Sequence, residues 1–127
     1  MNMPGTKTVV VAEDELFIRI VAADVLAESG FDVLEAENAL EVLDLLGQHE
    51  VTVLFTDIHM PGSMDGLRLA EIVAVRYPLV RLIITSGRQR LSVAEMPGGG
   101  VYLPKPYCPD RLASFVWQEA SKYGLGG

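Results

Sequence analysis

Five short apolar runs punctuate the chain: "TVVVA" (8–12), "FDVLEA" (31–36), "VTVLFT" (51–56), "VRLIIT" (80–85) and "VYLP" (101–104). Stretches such as Val9-Val10-Val11 and Leu82-Ile83-Ile84 do not alternate with polar residues. A strand apolar on both sides suits a parallel sheet covered on both faces. Helical patterns fill the intervals. Leu16, Ile20, Ala23 and Ala27 recur at helical spacing, and Phe17, Val21 and Leu26 widen that stripe into a predicted buried face. Gly30 stands where a left-handed cap stops the helix. Asn38 precedes "ALEVLDLLG" with Glu41 three residues on, which predicts a capping-box start and a stop at Gly47. "GLRLAEIVAVRY" predicts a third helix ended by Pro78, and "PDRLASFVWQEASKY" a last one with Pro109 in its first turn. The interval "SGRQRLSVAEMPGGG" has a weak apolar stripe, a proline and three successive glycines, and predicts one or two turns at most.

Strand–helix alternation of this kind predicts an α/β fold. It is an open, doubly wound sheet of parallel strands, with the fourth helix shortened or absent. At 127 residues the chain is expected to form a single domain over 1–127, its core running from about residue 7 to 121. In such sheets ligands bind outside the carboxyl ends of the strands. The residues there are Glu13, Asp14 and Glu15 after the first run, Asp57 after the third, Thr85 and Ser86 after the fourth, and Lys105 just past the fifth.

Each has an ordinary explanation alone. Glu13 and Asp14 would favour a helix start by about 0.3–1 kcal/mol each, Asp57 could cap a loop, and Lys105 could be a solvated amine. Together they describe a site. Converging carboxylates repel by about 4 kcal/mol per pair at 4 Å and an effective dielectric near 20, so they need a cation, a lysine or a proton. Oxygen-only ligands with room for water suit Mg²⁺. His49 and His59 are isolated in sequence, offer no zinc cluster, and are expected at the surface. An aspartate carboxylate is also a competent nucleophile toward phosphorus. Around it, Mg²⁺, a hydroxyl and an ammonium would meet the charge of the phosphoryl oxygens. The loop "PGSMDG" lets the backbone turn beside Asp57, with Gly62 and Gly66 supplying conformational freedom.

The formal net charge of -7 argues against nucleic acid as a partner. The apolar run Val9–Ala12 is too short for a signal peptide or a membrane span. Cys108 is the single cysteine, so no intrachain disulfide forms, and a cytoplasmic location is expected.

The motifs "VVVAEDE", "LFTDIHMPGSMDG", "LIITSG" and "YLPKPY", in this order from Lys7 to about Ser121, resemble the receiver domain of two-component response regulators. The resemblance implies a flavodoxin-like strand order 2-1-3-4-5 and a role for each matching residue. Asp57 is the implied phosphoacceptor. Glu13, Asp14, Asp57 and the backbone carbonyl of His59 are the implied Mg²⁺ ligands. Thr85 and Lys105 are the implied phosphoryl contacts, Thr85 and Tyr102 the implied switch pair, and Lys105–Pro106 an implied cis peptide. It further implies a single-domain member of the phosphorelay. Such a protein takes its phosphoryl group from a sensor histidine kinase or a histidine phosphotransfer protein. It catalyses only its own phosphorylation and dephosphorylation, and signals to a downstream protein or acts as relay or sink. A phosphorylation-independent binding module is the alternative, with a Mg²⁺-dependent aspartyl-phosphate phosphatase a weaker one, since His59 stands where such enzymes carry an acid/base aspartate. Two departures stand out: the loop from Asp57 to Gly66 is one residue longer than the common form, and "MPGGG" degrades the fourth helix.

Overall fold

Uninterrupted β-branched and aliphatic residues leave the central strands no solvent-facing side, and the architecture follows from that. The computed structural model describes residues 6–87 and 96–123. In chain order the elements are β1 (Thr8–Ala12), α1 (Leu16–Glu28), β2 (Asp32–Ala36), α2 (Ala39–Gln48), β3 (Val53–Asp57), α3 (Gly66–Arg76), β4 (Arg81–Ser86), β5 (Val101–Pro104) and α4 (Pro109–Ala120). The strands pair in parallel in the order β2-β1-β3-β4-β5, as the resemblance implies.

Successive residues of a strand face opposite sides of the sheet. Val10, Leu54 and Ile84 therefore pack with Val42 and Leu46 of α2 and Leu69 and Val73 of α3. Val9, Val11, Phe55 and Ile83 pack on the other side with Leu26 of α1 and Leu112 and Val116 of α4. Each such fully buried aliphatic side chain contributes about 1.5–3 kcal/mol. The chain leaves β1 first toward β2 and then returns to β3, which puts the switch point of strand order between β1 and β3.

Local signals set most helix ends. Gly30 has φ +104°, with Phe31 N–H on the Leu26 carbonyl and Gly30 N–H on the Ala27 carbonyl, both at 3.1 Å. That is the double-bonded glycine cap expected from the sequence. Asn38 Oδ1 accepts the Glu41 N–H at 2.9 Å, and Glu41 Oε1 accepts the N–H of Glu37 at 2.8 Å, one residue before the cap.

Two expectations are corrected. Of the stripe predicted for α1, only Ala23 and Leu26 are buried; Phe17 is 83% exposed, and Leu16, Ile20, Val21 and Ala27 also face outward. The sequence of α1 is apolar around most of its circumference, so spacing alone does not choose a face. The sheet takes the Ala22–Ala23 side, where small side chains let the helix come close. Gly47 does not stop α2 either: the helix continues to Gln48 and ends where His49 turns extended at φ -132°, ψ 151°. The expectation for the fourth interval falls largely on residues 88–95, which lie outside the described residues. After them a single 3₁₀ turn spans Pro97–Gly99.

Gly66 answers to a different constraint. A Cβ there would sit 1.8 Å from the Asp57 carbonyl oxygen, and its N–H already donates to the Ile58 carbonyl at 2.7 Å. We expect Gly66→Ala to lower unfolding free energy by about 3 kcal/mol through overpacking against backbone. Gly47, exposed with nothing within 4 Å of a built Cβ, gives the opposite sign. Gly47→Ala should stabilise by about 0.5–1 kcal/mol. Urea denaturation of both variants measures the pair, and equal effects would contradict these roles.

Candidate functional site

The parallel register brings the strand ends to one level. Asp57, the last residue of β3, stands opposite Thr85 of β4, and Ser86 stands opposite Pro104 of β5. The Ile58 N–H donates to the Thr85 carbonyl at 3.0 Å and the Lys105 N–H to the Ser86 carbonyl at 3.1 Å, so pairing continues one residue past the strands. At β1 the Glu13 N–H donates to the Ala36 carbonyl at 3.0 Å. Glu13, Asp57, Thr85 and Lys105 are therefore set by paired backbone rather than by a free loop.

Lys105 joins them. Its Nζ lies 2.8 Å from Asp57 Oδ2 and 2.7 Å from Glu13 Oε1. Glu13 and Asp57 are 4% and 6% exposed, so these are bridges in a largely water-free setting. The remaining oxygens are also engaged, Asp57 Oδ1 by the His59 N–H at 3.2 Å and Glu13 Oε2 by the Glu15 N–H at 3.3 Å. Glu13 and Asp14 do not cap α1: its N-cap is Glu15, with no side-chain hydrogen bond. Burial pushes the Glu13 carboxyl above its ordinary range, and the Lys105 hydrogen bond and charge offset this only in part. Burial pulls the Lys105 ammonium down, but its bonds to Asp57 and Glu13 outweigh that and hold it above its ordinary value. The Tyr107 phenol, two residues on, is pushed up to about 12, mainly by burial.

Asp14 is exposed at the rim, yet carboxylate oxygens of Glu13, Asp14 and Asp57 all lie within 4.8 Å of one another. Three carboxylates against one ammonium leave a net negative recess of about 400 Å³, lined by Asp14, Glu15, Asp57, His59, Gly87 and Lys105. Thr85 is 1% exposed, and its Oγ1 is buried without a hydrogen-bond partner among the described residues. An orphaned hydroxyl beside a carboxylate fits a site built for a further oxygen-rich group. Tyr102 is half-buried with its hydroxyl donating to the Ser86 carbonyl at 3.0 Å, and the Lys105–Pro106 peptide is cis.

His59 departs from expectation. It is half-buried on the wall of the recess, its Nε2 buried with no partner among the described residues, whereas His49 is exposed as expected. Its own N–H, bonded to Asp57 Oδ1, holds this part of the loop against the strand end. One residue near the site escaped the sequence reading. Arg19 is buried on α1, and its Nη1 donates to the Glu13 carbonyl at 2.9 Å. Its signal was present: a single charge inside the apolar run "LFIRIVAA" has to be paired when buried.

The family model for the response regulator receiver domain matches residues 9–116. The chain belongs to this family. As a receiver, it is 36% identical over 116 residues to the DNA-binding transcriptional regulator NtrC of Escherichia coli K12, covering 89% of this chain and 24% of that protein. An NtrX-like response regulator of Rickettsia bellii is 35% identical over 108 residues, covering 82% of this chain and 23% of that one. The receiver thus spans about a quarter of the length of these curated relatives. Among solved structures, a CheY-like response regulator receiver domain protein from Methanospirillum hungatei superposes with a TM-score of 0.87 at 24% identity, over 97% of this chain and all of that one. The receiver domain of NtrX from Brucella abortus gives 0.82 at 25% identity, over 89% and 98% of the two chains.

The Lys105 bridge is testable without any reaction. Lys105→Met leaves two buried carboxylates without their cation and should lower stability by about 3 kcal/mol at neutral pH. Asp57→Asn in the same chain should recover part of the loss, because one buried charge is gone. Denaturation midpoints of the two single variants and the double variant read the coupling directly, and additive effects would contradict it.

Proposed function

We propose that this receiver accepts a phosphoryl group on Asp57 from a phosphohistidine donor, a sensor histidine kinase or a histidine phosphotransfer protein, with Mg²⁺ as cofactor. The observation that carries the reading is the Asp57 carboxylate held at a strand end between Lys105 and two further carboxylates, beside an unpartnered Thr85 hydroxyl. An Asp57 oxygen forms a bond to phosphorus while the P–N bond to the donor imidazole breaks. The electron pair of that bond returns to the imidazole nitrogen, which leaves as neutral histidine when the other ring nitrogen carries a proton.

The donor set fits the cation. Oxygen ligands within 4.8 Å of one another, next to an open recess, match an ion that takes oxygens at about 2.1 Å and keeps several waters. Asp14, Asp57 and the His59 carbonyl would hold it directly, and Glu13 through water. Mg²⁺ held there would neutralise charge on the phosphoryl oxygens. Lys105 and the Thr85 hydroxyl would contact those oxygens in the product. Phosphorylation adds about -1.5 to -2 charges beside them, and Thr85 and Tyr102 would carry the change outward. The chain catalyses only its own phosphorylation and dephosphorylation, works in the cytoplasm, and signals through contact with a downstream protein or as relay or sink. With a net charge of -7, this segment is not read as a nucleic-acid binder.

A protein donor needs a surface beside the recess. A groove of about 580 Å³ between α1 and the segment after β5 is lined by Phe17, Ile18, Val21, Tyr107 and Leu112, and shares Gly87 and Lys105 with the recess. Phe17, Leu16 and Val21 expose 83%, 54% and 51% of their surface there or close by. Exposed apolar patches at this density mark contact surfaces, so this groove is where the donor protein would dock.

Intact mass after incubation with Mg²⁺ and acetyl phosphate tests the chemistry. One phosphoryl adduct is expected on the wild type, and none on Asp57→Asn or without Mg²⁺. An unmodified wild type would favour a binding module that kept the residues but not the reaction. Phe17→Glu should cut transfer from a phosphorylated donor protein about tenfold while leaving acetyl phosphate reactivity within about twofold, because the change affects docking and not the acceptor. Equal loss with both donors would remove the groove from this reading.

A further inference from the structure

Arg19 is a costly residue for its position. A buried guanidinium needs partners for its planar fork of donors, and it has three. Nη1 donates to the Glu13 carbonyl at 2.9 Å, Nε to Glu35 Oε1 at 3.1 Å, and Nη2 lies 3.6 Å from Glu37 Oε1. Its side chain is 9% exposed, whereas those of Glu35 and Glu37 are 45% and 61% exposed. Ion pairs with carboxylates so exposed are weak and give little reason to bury the arginine. The contact that is buried on both sides is the one to the Glu13 carbonyl.

That carbonyl belongs to the peptide joining Glu13 to Asp14. The other side of Glu13 is already tied, its N–H donating to the Ala36 carbonyl at the end of β2 at 3.0 Å. Arg19 ties the second side from α1. A rotation of this peptide would swing Asp14, whose carboxylate has no hydrogen bond or ion pair among the described residues to restrain it. We propose that Arg19 is a positioning residue for cation binding: by holding the Glu13 carbonyl it fixes the Glu13–Asp14 peptide, and with it the aim of the Asp14 carboxylate toward Asp57. The proposal rests on the reading of Glu13, Asp14 and Asp57 as a Mg²⁺ site.

Charge and position predict opposite signs here. As a mere positive charge near a cation site, Arg19 repels the ion, and its removal would tighten binding. As a clamp, its removal loosens Asp14 and weakens binding. Arg19→Lys separates the two further, since it keeps the charge but cannot hold a carbonyl and a carboxylate in one rigid fork.

The experiment is a MgCl2 titration of the ¹⁵N-labelled full chain, following the amides of residues 13–14 and 57–59, on the wild type, Arg19→Gln and Arg19→Lys. The same spectra report whether each variant is folded. Removing a group that orients a metal ligand costs about tenfold or more in affinity. Arg19→Gln should therefore raise the Mg²⁺ dissociation constant about tenfold while the spectrum stays native, and Arg19→Lys should raise it in the same direction. Should Arg19→Gln not fold, Arg19→Lys decides by the same criterion. Unchanged or tighter binding in the folded variants overturns the positioning role and leaves the Mg²⁺ site standing. Absence of any Mg²⁺-dependent shift in the wild type overturns the site and the positioning role with it.

Discussion

The Lys105 ammonium between Asp57 and Glu13 is the contact on which the working end of this molecule depends. It links three strands, since Glu13 follows β1, Asp57 ends β3 and Lys105 follows β5. Two buried carboxylates in contact would repel by about 4 kcal/mol at 4 Å and an effective dielectric near 20. The sheet can present them together only because a lysine reaches in from its edge. The compensation is incomplete, because Asp14 adds a third carboxylate within 4.8 Å. A scaffold that buries its three central strands while leaving charge unbalanced at one point concentrates its unmet charge there.

What surrounds the bridge is chosen for closeness. The backbone of Gly66 presses against the Asp57 carbonyl, so the loop after β3 returns to the start of α3 with no room for a side chain. Gly62, with φ +104°, makes the turn that begins this return. Ser63 and Met64 follow, and with Pro61 and Gly62 they line a cavity of about 230 Å³ formed with the start of α2.

Much of this was legible in the sequence because strand ends announce themselves. Continuous apolar runs located β1, β3 and β4, and a polar residue directly after each had to lie at one edge of a parallel sheet. Glu13, Asp57 and Thr85 were found that way and Lys105 just past the fifth run, and the structure places them together. The face of α1 was not legible. Its residues are apolar on nearly every side, and only contact with the sheet shows that Ala22 and Ala23 are the inner ones. Gly47 misled because glycine ends a helix only where the backbone turns left-handed, and here it does not. His59 was read as a surface residue because spacing says nothing about how a loop folds back over its own strand.

The two outer strands carry a further consequence. β5 is four residues long and ends at Pro104, which has no N–H to offer, with Pro106 close behind. At the opposite margin β2 carries Asp32 and an exposed Glu35. Short length, proline and charge each discourage a foreign strand from joining the sheet. Neither margin invites growth by backbone pairing. That leaves contact through side chains, where a single substitution can change the surface without disturbing the sheet beneath.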